Sequence, residues 1–137
     1  MTRIAIVDDD RDFVGLVTDM FSERGWEVIA CCDSLAAFAL LREEQPDVAI
    51  LDIRMQSARS GWDILTFLQL HPATHHIPVV VCSAAALDVQ DQSVWLREHG
   101  IGIVLKPFDL EDLYSAVDTA LAQAARLRDA RRAATSA

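Results

Sequence analysis

The sequence predicts an α/β fold, a parallel sheet covered by helices on both faces. Three observations lead there. Runs of consecutive apolar residues recur five times in 137 residues, as in strands buried on both sides. Amphipathic stretches of helical period separate those runs. The connections are short, so successive strands join through helical crossovers and run parallel.

Each element can be justified in order. The first strand is Ile4–Val7. Phe13, Leu16, Val17, Met20 and Phe21 then form one apolar helix face, and Gly25 is a natural stop. Trp26–Cys31 is the second strand. Asp33 or Ser34 caps the second helix, which ends before Pro46. Val48–Leu51 is the third strand, and a third helix runs from about Gly61 to Leu70. Ile77–Cys82 is the fourth strand. The helix after it, from about Asp88 to His99, is the least regular, because Gln90 to Ser93 is polar on every side. Ile101–Leu105 is the fifth strand. The last helix starts at Asp109, with Asp112 as a near capping box and Leu110, Leu113, Val117 and Leu121 as its stripe. From Arg126 the chain is Ala/Arg-rich without a stripe. The reading is one domain over residues 1–125, with 126–137 as a frayed tail or helix extension. A chain of this size suits the doubly wound, flavodoxin-like strand order 2-1-3-4-5.

Composition narrows the function. At 52% hydrophobic and 24% charged, the chain is neither disordered nor short of core. The longest apolar run, Ile77 to Leu87, is broken by Pro78 and Ser83 and falls short of the ~18 residues of a membrane span. Asp8, Asp9 and Asp10 follow the first apolar run directly, unlike a signal peptide. A net charge of −9, from 21 acids against 12 bases, repels nucleic acid and anionic membrane, so neither is an expected partner. Cys31, Cys32 and Cys82 have no metal-ligand spacing and read as free thiols in a reducing cytoplasm. Of the bases, Lys106 is the one lysine.

Sheets of this kind bind ligands beyond the carboxyl ends of their strands. The first strand ends in Asp8 and Asp9, the third in Asp52, the fourth in Ser83 and the fifth in Lys106. Any one of these alone is an ordinary turn or cap residue. In the order 2-1-3-4-5 they gather at one rim. Three carboxylates repel one another and persist together when a cation neutralises them. All-oxygen ligation without His or Cys favours Mg²⁺. A central carboxylate beside it suits nucleophilic attack on phosphorus, with Lys106 as a mobile ammonium and Ser83 as a hydroxyl donor.

These residues resemble the response-regulator receiver domains of two-component signalling. The resemblance runs from about Arg3 to Ala124 and rests on Ile-Val-Asp8-Asp9, Leu51-Asp52-Ile53-Arg54-Met55, Ser83-Ala84 and Lys106-Pro107-Phe108. It implies that Asp52 accepts a phosphoryl group from a sensor histidine kinase or phosphotransfer protein. It implies Mg²⁺ on Asp9, Asp52 and the backbone carbonyl of Arg54, with Asp8 acting through water. Ser83 would turn toward the phosphoryl group, Lys106 would pair with it, and the Lys106–Pro107 peptide would be cis. The chain would then be a cytoplasmic signalling domain that catalyses only its own phosphorylation and dephosphorylation. It would pass the signal to a downstream protein, as a monomer or weak homodimer.

Three positions depart from the family pattern. Gln56 stands where proline is usual, Gly61 comes nine rather than eight residues after Asp52, and Ile103 replaces an aromatic. The longer Arg54–Gly61 loop, lacking that proline, is expected to be mobile. Ile101 and Ile103, with Trp95 nearby, suggest an aliphatic output face. Two other functions fit parts of the pattern. A pseudo-receiver would never take up phosphate, against the full set of Asp8, Asp9, Asp52, Ser83 and Lys106. An aspartate-nucleophile phosphatase would use the Asp-x-Asp of Asp8 to Asp10, but such enzymes usually carry a cap domain. His71, His75, His76 and His99 read as loop or surface histidines. Arg126, Arg128, Arg131 and Arg132 read as a solvated tail, and Trp26, Trp62 and Trp95 as packing residues.

Overall fold

The computed structural model describes residues 1–53, 60–84 and 86–136, with backbone alone at Ser60, Ala86 and Ser136. Five strands, β1 (Arg3–Val7), β2 (Glu27–Cys31), β3 (Val48–Leu51), β4 (Val79–Ser83) and β5 (Gly102–Leu105), form one sheet. All neighbours pair in parallel, in the order β2-β1-β3-β4-β5. The helices are α1 (Arg11–Glu23), α2 (Ser34–Glu44), α3 (Ser60–Leu70), α4 (Ala86–Asp91), α5 (Ser93–Glu98) and α6 (Leu110–Ser136).

Side-chain alternation along the strands divides the core in two. Ile4, Ile6, Val48, Ile50, Val80 and Cys82 face one way and pack with Val17, Phe21, Leu113 and Val117 of α1 and α6. Ala5, Val7, Ala49, Leu51, Val79 and Val81 face the other way and pack with Leu41, Leu65, Leu68 and Leu96. Both faces of the sheet are thus dry, which is why the strands read as continuous apolar runs. Trp26 stacks on Phe21 at 5.1 Å, and Trp62 and Trp95 pack against the second layer.

Caps set the helix boundaries. Asp10 caps α1, accepting from the amides of Asp12 and Phe13. Asp33, rather than Ser34, caps α2, whose end turns through Gln45 at φ 47°. The Asp112 carboxylate accepts from the Asp109 amide, the returning half of a capping box. At the end of α1, the Arg24 guanidinium lies 4.0 Å from the Tyr114 ring and pairs with Asp118 at 2.8 Å, joining α1 to α6.

Two elements differ from the sequence expectation by more than one residue at an end. The single helix expected over Asp88 to His99 is two short ones parted at Gln92, within the all-polar stretch where no apolar stripe binds a longer helix to the sheet. β4 starts later and reaches Ser83, because Pro78 has no amide to give and contributes only its carbonyl, which accepts from Ala49. α6 continues through the Arg-rich segment for 27 residues in all.

Candidate phosphoryl-acceptor site

The polar residues that end the strands meet at the carboxyl rim of the sheet. Parallel registry holds them there: the Asp8 amide donates to Cys31, that of Asp52 to Val7, and that of Lys106 to Ser83. One ligand oxygen each from Asp8, Asp9 and Asp52 lies within 4.8 Å of the others. Asp8 and Asp52 are buried, 1% and 7% exposed, while Asp9 opens to solvent. Lys106 Nζ reaches Asp8 at 2.8 Å and Asp52 at 3.6 Å. Ser83 is fully buried at the end of β4, and the Lys106–Pro107 peptide is cis. Arg54 and Gln56, with the rest of the loop to Arg59, lie outside the described residues, so the expected carbonyl ligand and loop mobility do too.

Burial raises the Asp8 carboxyl above its usual range, outweighing the opposing bonds from Lys106 and the Asp10 amide. Burial works against the Lys106 ammonium as well. There the hydrogen bond to Asp8 and the charges of Asp8 and Asp52 prevail, and its pKa is raised. The three carboxylates are thus only partly neutralised by one lysine. An all-oxygen cluster with one open member fits a hard cation that keeps some of its waters.

Sequence reasoning missed Phe13. Its ring lies 4.0 Å under Lys106 Nζ and meets Phe108 edge-on at 5.9 Å. An apolar residue at helical spacing reads as core, and only its place one turn into α1, beside the acidic pair, hinted otherwise. Asp10, the third acid of the run, is spent on capping α1. That removes the second carboxylate that an Asp-x-Asp phosphatase would need. The expected output face is also altered. Ile101, which precedes β5, is buried in the core, and Ile103 is 38% exposed on the edge strand.

Comparison with known proteins gives the family. The model of the response regulator receiver domain matches residues 4–118. Protein PilH of Pseudomonas aeruginosa is 32% identical over 123 residues, covering 89% of this chain and 99% of PilH. A protein-glutamate methylesterase/protein-glutamine glutaminase of Anaeromyxobacter dehalogenans is 34% identical over 106 residues, covering 77% of this chain but only 29% of that longer protein. A receiver-domain crystal structure from Clostridium thermocellum superposes with a TM-score of 0.80, covering 93% of this chain and 99% of that one at 23% identity, a likeness of fold. With the strand order, the acidic cluster and the family match in agreement, the chain belongs to the response regulator receiver domains of two-component signalling.

Proposed function

We propose that Asp52 is the phosphoacceptor and that Asp8, Asp9, Ser83 and Lys106 serve its chemistry. The observation that carries this is the convergence of three carboxylates within 4.8 Å, with Lys106 3.6 Å from Asp52. The donor is a phosphohistidine on a sensor kinase or phosphotransfer protein. An Asp52 oxygen attacks phosphorus, the P–N bond breaks, and the imidazole leaves with the donor. The acyl phosphate later reacts with water, returning the carboxylate and inorganic phosphate.

Asp9 and Asp52 are the residues that would hold Mg²⁺, with the Arg54 carbonyl, while Asp8 acts through water. The metal, when bound, offsets the negative charge of the incoming phosphoryl oxygens. Lys106, which contacts Asp8 and Phe13, pairs in this reading with a phosphoryl oxygen on Asp52. The Ser83 hydroxyl donates to another. This is self-modification in a signalling domain, and the output is a contact with a downstream protein. Cytoplasmic action suits the three free cysteines, and no described helix is long and apolar enough to cross a membrane.

A small phosphodonor with Mg²⁺ is expected to add one phosphoryl mass, labile to base and hydroxylamine, and Asp52→Asn to abolish it. Clean modification of the Asn variant would falsify the assignment.

A further inference from the structure

The opposite rim of the sheet carries a second concentration of charge, of the other sign. A cleft of about 130 Å³ opens at the amino ends of β4 and β5, with α6 as its third wall. Its charged and titratable lining is His75, His76, His99, Arg128 and Arg131. Among the described residues no carboxylate lines it, in a chain with 21 acids against 12 bases. Ile77, Ile101 and Ala120 supply buried apolar floor. The cleft has room for several waters or for a small tetrahedral anion.

The wall formed by Arg128 and Arg131 belongs to the part of α6 beyond residues 4–118, where the family match ends. Two histidines of the lining are fixed by backbone carbonyls. The Nδ1 of His75 lies 3.1 Å from the Pro72 carbonyl, and that of His99 lies 2.8 Å from the Trp95 carbonyl. A carbonyl only accepts, so each Nδ1 carries its hydrogen and each Nε2 is left as the variable nitrogen. His76 is held below its ordinary pKa by partial burial, then by His75 and the charges of Arg131 and Arg128. The two guanidiniums thus act on the same space as the imidazole.

The geometry points to a second ligand site in this cleft, for a phosphate-class oxyanion held by the guanidiniums of Arg128 and Arg131. Guanidinium forks match phosphate oxygens in pairs, and two forks together offer more hydrogen bonds than one carboxylate accepts. The site does not depend on Asp52 chemistry, which lies at the other end of the strands.

The test is a titration of the ¹⁵N-labelled full chain with sodium phosphate, without divalent cations and at constant pH and ionic strength. A parallel arm uses sodium succinate. Saturable shifts centred on the amides of Ile77, Gly100 and Ile101 are expected with phosphate. The paired substitution Arg128→Ala and Arg131→Ala, both exposed on α6, is expected to weaken binding about tenfold and leave the remaining spectrum in place. Shifts that merely follow added salt, equal affinity in the paired variant, or saturation by succinate but not phosphate would each overturn the assignment.

Discussion

At the scale of the residue, Lys106 and Asp8 illustrate how burial and pairing compete. Burial opposes the charged form of both. For Lys106 the carboxylates win and the ammonium is held above its ordinary 10.5. A raised folded-state pKa gives stability that is complete below the unfolded value and lost as pH rises through the folded one. The metal-free chain is therefore expected to weaken as pH climbs above 10.5, more steeply than Lys106→Met, when urea midpoints are compared across that range. Parallel slopes for the two proteins would remove Lys106 from the account. Asp8 has the same sign with a different cause, since there burial wins. Its carboxyl is raised, so the stability of its protonated form is present below 3.8 and is lost as pH rises through the folded value. At neutral pH Asp8 is a net cost that a cation can relieve. The identities of Asp8, Asp52, Ser83 and Lys106 were legible because each ends an apolar run abruptly. Phe13 was not, since the role of its ring depends on a side chain arriving from β5.

At the scale of the element, the start of α3 is tied to the site by the absence of a side chain. A Cβ on Gly61 would collide with the Ile53 Cα and the Asp52 carbonyl oxygen. Backbone is the obstacle, so the helix or the segment carrying Asp52 must move. Gly61→Ala is expected to cost about 1–3 kcal/mol by overpacking and to slow phosphoryl uptake, as read by denaturant midpoint and by acetyl phosphate labelling. An unchanged midpoint would mean that the two segments part without strain. The sequence signalled Gly61 as out of register with its family and gave no sign of this contact. Local sequence also failed at Gln92. A polar stretch is equally compatible with one weak helix or with two, and only packing of Val89 and Leu96 into the same core layer decides.

At the scale of the whole molecule, charge is unevenly laid out. The carboxyl rim of the sheet holds three clustered acids and the amino rim five basic or titratable side chains, within a chain of net charge −9. Strand order was legible from the alternation of apolar runs with helices, and that order alone brought four strand ends together. The reach of α6 was left between a tail and a helix extension, because helix past the sheet has no stripe to read. Mg²⁺ is expected to stabilise the fold by neutralising the acidic rim. At about 100 times its dissociation constant the gain is roughly 2.7 kcal/mol, seen as a rise in Tm. Asp9→Asn is expected to lose most of that rise and Asp8→Asn less of it. Equal losses would mean that the direct and water-mediated roles are misassigned.

Lys106 is the single lysine of the chain, and its amine is enclosed by Asp8, Asp52 and Phe13. Reductive methylation with ¹³C-formaldehyde therefore places isotope at two amines only, the Met1 terminus and this one. The Lys106 methyl signal, shielded by the Phe13 ring current, then becomes a one-line spectrum of the site. Its chemical shift follows each arrival of metal or phosphate at Asp52, without a mutation and without assigning any other resonance.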